Sequence, residues 1–217
     1  MSFTSIVRTL FTLGKGVLKG LPAASESANP IDLFGEWYRA ASETGMLLPE
    51  AMTLATVSEQ GVPSARMVLL KSFDEGGFTF YTNYGSRKAL ELEANPRAAL
   101  VIHWALLQRQ VRIEGSVMRV SEKESDSYFA TRPRGSQLGA WASDQSTDLP
   151  DRSRLVERFR ESKARFEGAS VPRPPYWGGF RVAPERMEFW QGRSDRLHDR
   201  LVFVRGDGGW DVSRLYP

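Results

Sequence analysis

Short β-type runs separated by tight turns constrain the fold of this chain more than any other feature. The turns at residues 59–61, 74–77 and 206–209 carry glycine and acidic residues that favour chain reversal. Strands joined by turns this short pair antiparallel, because a parallel pair needs a long crossover. The predicted strands are Thr53–Val57, Ser64–Lys71, Phe78–Thr82, Ala98–Trp104, Gln110–Val120, Trp177–Val182, Leu201–Arg205 and Trp210–Leu215.

Helices are predicted at the periphery of these strands. Asn29 and Pro30 form an N-cap and first-turn pair, and apolar residues then recur at helical spacing until Gly45. Further helices are expected after Ser86, after the capping box at residues 121–124, and over about residues 151–167. A mainly β chain (α+β) in which about six or seven of these strands pair antiparallel favours a small barrel, since closure removes exposed strand edges.

Composition narrows the class of protein. With 217 residues and 41% hydrophobic content, we expect residues 29–217 to form one domain and residues 1–28 to form an N-terminal arm. A net charge of +3 argues against a nucleic-acid partner, and basic residues interrupt the apolar segment 3–21 too often for a membrane anchor. The chain has no cysteine and two histidines, so we expect no metal site. The absence of cysteine is also consistent with a cytoplasmic location, where disulfides are rare.

Cationic and aromatic residues are concentrated near the end of the chain. Arg196, His198 and Arg200 follow the aromatic segment 188–192 within a few positions. If this stretch is a strand, alternation places all three side chains on one face. Such a face could stack and hydrogen-bond a planar anionic ligand.

Three further clusters have the chemistry of phosphate binding. Arg66 and Lys71 lie at the two ends of one strand and on opposite faces, so they could meet two different anions. Residues 81–88 add hydroxyls and two cations at a helix start, although a capped surface helix with solvated charges is an alternative. Tyr128, Arg132 and Ser136 suit a phosphomonoester, although a solvated arginine pair remains an alternative.

Two neighbouring predicted strands each carry one polar residue that could have a specific role. If its side chain points inward, Gln110 could form hydrogen bonds with the edge of a heteroaromatic ring. His103 stands beside Trp104 in an apolar strand, where a core or interface histidine is the better interpretation.

Taken together, these blocks resemble the pyridoxamine 5′-phosphate oxidase family from Asn29 to the end of the chain. The matching stretches are 66–71, 80–83 with 86–88, 95–96, 109–111, 128–141, 145–146, 177–182 and 188–200. The resemblance implies an FMN-binding split β-barrel of antiparallel Greek-key type. It also implies a homodimer with each FMN at the subunit interface.

The resemblance also implies roles for individual residues. Arg196 and His198 would be the catalytic residues beside the substrate's pyridine ring. The implied FMN contacts are Arg66, Met67, Val68, Leu69, Leu70, Lys71, Tyr81, Thr82, Arg87, Lys88, Gln110, Gln145, Ser146, Trp190 and Arg200. The implied substrate contacts are Lys71, Tyr128, Arg132, Ser136, Arg196, Leu197 and His198.

The implied activity is oxidation of pyridoxine 5′-phosphate and pyridoxamine 5′-phosphate to pyridoxal 5′-phosphate. Hydride would pass to flavin N5, and dioxygen would then reoxidise the flavin and yield hydrogen peroxide. The chain departs from the family where many members have Arg-x-x-Tyr, since it reads Arg8-Thr9-Leu10-Phe11. Its ending is Arg214-Leu215-Tyr216-Pro217 instead of Arg-Leu-Ala-Pro.

Three other functions fit these residues less well. A flavin oxidase related to the phenazine-pathway enzymes tends to lack the substrate-phosphate residues, which are present here. A non-catalytic flavin or pyridoxal phosphate carrier would not need Arg196 and His198. A nucleic-acid module is disfavoured because the aromatic residues lie in apolar strands.

Overall fold

A curled antiparallel sheet with helices at its periphery forms the body of the protein. The computed structural model describes residue 21 and residues 29–217. The predicted arm, residues 1–28, lies outside the described residues apart from Leu21, which packs against the core. The prediction of a mainly β, antiparallel split-barrel fold is confirmed. No helix in the described part of the chain is long and apolar enough to cross a membrane.

Nine strands and five α-helices make up the described part of the chain. The helices are α1 (Pro30–Glu43), α2 (Arg87–Ala94), α3 (Glu122–Thr131), α4 (Arg134–Ala142) and α5 (Arg152–Arg165). The strands are β1 (Ala51–Val57), β2 (Pro63–Leu69), β3 (Ser72–Asp74), β4 (Gly77–Asn83), β5 (Arg97–Trp104), β6 (Arg109–Arg119), β7 (Trp177–Gln191), β8 (Asp199–Gly206) and β9 (Gly209–Arg214).

The strand order explains how the sheet curls. The order is β2-β1-β5-β6-β7-β4-β3, and β8 pairs with both β7 and β9. β2 also approaches β4, and the N–H of Lys71 donates to the carbonyl of Thr79 at 2.9 Å. The two ends of the strand order therefore meet, and the edge of β2 comes to lie beside β4.

A bulge bends the two longest strands. The pairing of β6 with β7 shifts between Glu114 and Gly115, where Pro184 lies opposite Gly115. A Cβ at Gly115 would lie 1.8 Å from the carbonyl oxygen of Ala183, so only glycine fits this close approach. Because of this bend, a chain stretch containing proline continues as one strand.

The main core lies between the sheet and α1. Phe34 on α1 is fully buried, and its ring meets those of Phe73 and Phe78 edge-on at 4.8 and 4.9 Å. The helix begins as predicted, because the side chain of Asn29 accepts a hydrogen bond from the N–H of Ile31. A second, smaller cluster joins α3, α4 and the start of β7 around Phe129 and Trp177.

Several predicted boundaries need correction. The strand predicted to end at Val182 continues to Gln191, and the sequence reading missed β3 and α4. Residues 196–200 do not form a single strand: residues 194–196 form a 3₁₀ turn and β8 begins only at Asp199. Asp195 and Arg196 adopt positive φ angles of 57° and 61° there, so strict alternation of the side chains is lost.

Candidate active site

A cavity of about 610 Å³ lies where β2, β4, α2, α3 and α4 meet, and this volume is in the range of ligand sites. Many of the residues expected to contact FMN or substrate lie in its wall. They are Arg66, Met67, Val68, Leu69, Lys71, Tyr81, Thr82, Lys88, Tyr128, Arg132, Ser136 and Gln145. Residues as far apart in sequence as Arg66 and Gln145 are thus brought to one site by the curl of the sheet.

One part of the cavity wall is cationic, and its cations already have partners within the protein. Nη2 of Arg66 lies 3.0 Å from Oε2 of Glu91, and the ammonium of Lys88 contacts the hydroxyls of Thr82 and Ser86 at 3.2 and 3.3 Å. Burial lowers the pKa of Lys88 from its usual value, Arg66 lowers it further, and Glu91 opposes both. This combination of cations and hydroxyls suits a phosphate group.

The helix that supplies Lys88 is capped differently from the sequence prediction. Ser86 is the N-cap residue of α2, but its side chain makes no capping hydrogen bond. Its hydroxyl instead lies within 3.3 Å of both Lys88 and Thr82. Ser86 therefore orients the cation instead of closing the helix end.

A second part of the wall is aromatic. The rings of Tyr81 and Tyr128 stack at 4.0 Å, and the ring of Trp177 lies parallel to Tyr81 at 5.4 Å. The guanidinium of Arg132 lies 4.6 Å from the ring centre of Trp177. Burial, reinforced by the charge of Glu124, raises the pKa of Tyr81 to about 12, so this phenol remains a hydrogen-bond donor at neutral pH.

Arg132 is the residue of the aromatic wall whose hydrogen bonding is incomplete. Its Nη1 is buried and has no hydrogen-bond partner among the described residues. Burial lowers the pKa of this guanidinium, an effect that the neighbouring Tyr128 opposes. A buried donor without an acceptor costs about 1–3 kcal/mol, so the arrangement favours an incoming anion.

The remaining predicted residues form a separate group at the end of β7 and the start of β8. The rings of Trp190 and His198 are 4.6 Å apart, and Trp190 pairs with Gln110 and Arg200 on the flanking strands. Nδ1 of His198 accepts a hydrogen bond from the N–H of Arg193 at 3.1 Å. A neutral His198 therefore carries its proton on Nε2, where it can donate to a ligand.

These separate residues do not line the cavity within one chain. Besides Gln110, Trp190, His198 and Arg200, they include Arg196 and Leu197, both of which are exposed. Three other predicted residues lie beside the cavity without lining it, namely Leu70 in the core, Arg87 on α2 and Ser146 in the loop after α4.

The sequence analysis missed some residues of this site. Thr131, Pro133 and Trp177 line the cavity, and Glu91 lies directly behind its cationic wall. The spacing of Arg87 and Glu91, four residues apart on a helix, was a usable signal for an ion pair. Nothing in the local sequence pattern signals that Trp177 would lie under Arg132.

The donor set fits FMN. Arg66, Lys88 and Thr82 suit its phosphate. β2 lies at the end of the strand order, and no strand of the described residues pairs along its other side. Backbone N–H and C=O groups on that side can pair with the polar edge of a ring system. The cavity therefore offers distinct places for a phosphate and for a planar heterocycle.

Comparison with known proteins identifies the class and the family. Residues 40–166 match the model of pyridoxamine 5′-phosphate oxidase, and residues 177–217 match that of the pyridoxine 5′-phosphate oxidase C-terminal dimerisation region. The fold and site are those of a split-barrel FMN-dependent oxidoreductase. The chain belongs to the pyridoxamine 5′-phosphate oxidase family, which confirms the predicted family, cofactor and homodimer.

Individual relatives agree with this assignment. A pyridoxine/pyridoxamine 5′-phosphate oxidase of Psychromonas ingrahamii is 54% identical over 100% of both chains. One of Rubrobacter xylanophilus is 59% identical over 91% of both chains. The crystal structure of PhzG from Burkholderia lata 383, in complex with tetrahydrophenazine-1-carboxylic acid, superposes with a TM-score of 0.87 at 33% identity, covering 93% of this chain and 100% of that one.

Proposed function

We propose that this FMN-dependent oxidase converts pyridoxine 5′-phosphate and pyridoxamine 5′-phosphate to pyridoxal 5′-phosphate through the residue roles given below. The observation that carries the proposal is the buried Nη1 of Arg132 in the cavity wall, which has no hydrogen-bond partner within residues 29–217 or at Leu21. Lys71, Tyr128 and Ser136 line the same cavity, so a cation and two hydroxyls can complete the shell of a phosphate monoester.

The chain's own residues bind and orient both ligands. Arg66 and Lys88 hold the FMN phosphate, while Arg132 and its neighbours hold the substrate phosphate on the aromatic side. Anchoring each ligand by its phosphate fixes the distance between the reacting rings, which is the main way such a site lowers the barrier. Arg196 and His198 contact the substrate ring, and Nε2–H of His198 donates to it.

When bound, FMN would supply the hydride acceptor and the route by which both electrons reach dioxygen, which gives hydrogen peroxide. With the alcohol substrate, loss of hydride and of the hydroxyl proton leaves the aldehyde. With the amine substrate, the resulting imine reacts with water and releases ammonia. The protein's own task is to keep the substrate's carbon beside the flavin and to exclude competing geometries.

The second subunit completes each site in this proposal. Residues 190–200 belong to the segment that matches the dimerisation region and do not line the cavity of their own chain. We infer that these residues close the cavity of the partner subunit, so that each active site draws on both chains.

We further propose a cytoplasmic location, where phosphorylated cofactor and substrates are retained; cell fractionation tests it.

Mixed dimers of two inactive variants test the shared site. Arg132→Ala damages the cavity, and Arg196→Ala damages the terminal segment. If the sites are shared, a mixed dimer contains one site with both elements intact, and mixing the two variants restores activity. If each site lies within one chain, every site in the mixed dimer carries a defect and activity stays absent.

Aerobic turnover of the FMN-loaded protein tests the reaction itself. Pyridoxal 5′-phosphate and hydrogen peroxide should form in equal amounts from each phosphorylated substrate. Tight FMN binding without either product would instead favour a substrate such as that of the phenazine relatives. Arg196→Ala should retain FMN and lose most turnover; normal kinetics in this variant would remove Arg196 from the mechanism.

A further inference from the structure

Glu91 is a buried carboxylate behind the cationic wall of the cavity. It lies on α2 with a relative exposure of 6%, yet it does not line the cavity. Its Oε2 accepts hydrogen bonds from the hydroxyls of Thr56 and Ser64 at 2.5 and 2.6 Å and from Nη2 of Arg66 at 3.0 Å. Its Oε1 accepts from Nε of Arg87 at 2.8 Å. Each carboxylate oxygen thus holds a different arginine.

The arrangement fixes Arg66 more firmly than a solvated arginine. Besides Glu91, its guanidinium donates to the hydroxyls of Thr56 and Ser64 and lies 3.4 Å from the carbonyl of Leu54. These groups come from β1 and β2, so α2 is tied to the edge of the sheet at this point. A planar guanidinium held on several sides has little freedom left to lose when it binds a ligand.

The carboxylate also balances the charge of the cluster. Arg66, Arg87 and Lys88 would repel one another if left alone, and the low exposure of Arg66 and Lys88 would strengthen the repulsion between those two. Hydrogen bonds from Ser64 and neighbouring donors overcome burial and lower the pKa of Glu91 to about 2. Three cations and one carboxylate leave a formal charge of about +2, which complements a phosphate monoester of about −2.

We propose that Glu91 is a positioning residue for the FMN phosphate, which it serves by fixing Arg66 and Arg87 without touching the cofactor. The inference rests on the proposed placement of that phosphate beside Arg66 and Lys88. Loss of the carboxylate removes a negative charge near the phosphate, which by itself favours binding. The loss of arginine orientation outweighs this gain, because the carboxylate's charge is already compensated by two ion pairs.

Comparison of FMN with riboflavin isolates the phosphate. Riboflavin has the same ring and ribityl chain but no phosphate, so a defect confined to phosphate binding changes the Kd of FMN alone. Apoprotein is titrated with each flavin, and quenching of flavin fluorescence gives the two values. A purely structural role of Glu91 would weaken both flavins by the same factor.

Two substitutions of Glu91 should weaken FMN binding to different extents. In Glu91→Gln, the amide oxygen can keep the contacts of Oε2, and its NH₂ group then faces Arg87 and releases it. We expect the Kd of FMN to rise about tenfold, the value of one charge-assisted hydrogen bond. Glu91→Ala also releases Arg66 and should raise the Kd of FMN about 30-fold or more. Should the Ala variant not fold, the Gln variant carries the test.

Two further variants separate the possible failures. Glu93→Gln removes an exposed carboxylate of the same helix that pairs with Arg119, and it should change neither Kd. Arg66→Ala must raise the Kd of FMN relative to riboflavin; if it does not, the proposed placement of the phosphate is wrong and the inference falls with it. If Arg66→Ala has this effect and both Glu91 variants leave the ratio unchanged, the role of Glu91 alone is refuted.

Discussion

The cavity contains two cationic regions that the protein stabilises in opposite ways. Beside β2, the arginines are paired with the buried carboxylate of Glu91, which accepts four hydrogen bonds from the protein. On the aromatic side, Arg132 lies over Trp177 and leaves Nη1 without a partner among the described residues. One guanidinium has its counterion built in, whereas the other depends on a ligand to supply it.

This difference matches the lifetimes that the two ligands need. A region whose positive charge is already partly compensated stays folded in the absence of its ligand, which suits a cofactor that binds once. A guanidinium held by aromatic faces keeps its orientation while its donors stay free, which suits a substrate that enters and leaves in every cycle. Oriented but unsatisfied donors give an incoming phosphate strong binding at little entropic cost.

The largest expected effect follows from removing the unsatisfied guanidinium. Arg132→Ala should lower kcat/KM for pyridoxine 5′-phosphate about 100-fold, because it deletes a charge-assisted contact from a buried site. The Kd of FMN should stay unchanged, which titration of the apoprotein measures. Arg132→Lys keeps the charge but loses the planar stack, so it should recover only part of the activity. An equal loss of FMN binding would show that the two regions are not separate.

Lys88→Ala should produce the reciprocal pattern. We expect the Kd of FMN to rise about 30-fold, with little change for riboflavin, because Lys88 is a buried cation of the cofactor region. Once the variant is saturated with FMN, its KM for the phosphorylated substrate should equal that of the wild type. Unchanged FMN affinity would refute the assignment of Lys88 to the cofactor phosphate.

Trp177 tests whether an aromatic face is what orients Arg132. Trp177→Leu should raise KM for the phosphorylated substrate about tenfold, because a partly desolvated cation–π contact is worth about 1.4 kcal/mol. Trp177→Phe keeps a smaller face and should cost less. Unphosphorylated pyridoxine is the control, because its poor turnover should not change further. A decrease in kcat/KM of the same size for both substrates would indicate a general loss of packing.

The two regions also differ in how far the sequence predicts them. Arg66, Arg87 and Lys88 occur within recognisable local patterns, a strand with charged ends and a helix start. These patterns made them candidate anion ligands, although solvated surface charges were an alternative for the helix start. Tyr128 and Arg132 were grouped because they are four positions apart, as on one helical face, and Ser136 because it follows at a predicted turn. In the structure Arg132 is the residue after α3, and Ser136 lies in α4, which was not predicted. Both groups of residues were found because their chemistry is local.

What the sequence could not predict arises from contacts between distant segments. Trp177 reaches Arg132 through packing of β7 against α3, and Glu91 reaches Arg66 across 25 positions. The segment 196–200 was read as one strand because its residues alternate, but positive φ angles at Asp195 and Arg196 interrupt it. Such angles cost energy in residues other than glycine and are set by tertiary context, so alternation alone could not reveal them.

The smallest expected effect concerns the acid stability of the cofactor region. The pKa of Glu91 falls from 4.5 to about 2 on folding, mainly because four donors hold its charged form against the cost of burial. A carboxyl group whose pKa is lowered stabilises the fold above its unfolded value and loses that contribution as pH falls through the folded value. The free energy of unfolding of the wild-type apoprotein should therefore exceed that of Glu91→Gln by about 1 kcal/mol at neutral pH.

This advantage should shrink as the pH is lowered from 4.5 towards 2, the interval between the two pKa values. Urea unfolding of the two apoproteins at several pH values measures it, and the apo forms exclude titration of the FMN phosphate. Glu93→Gln serves as the matched control, since that exposed pair should contribute little at any pH. A difference that stayed constant down to pH 2 would mean that packing, and not the charge of Glu91, stabilises the region, and the contrast with the aromatic side would disappear.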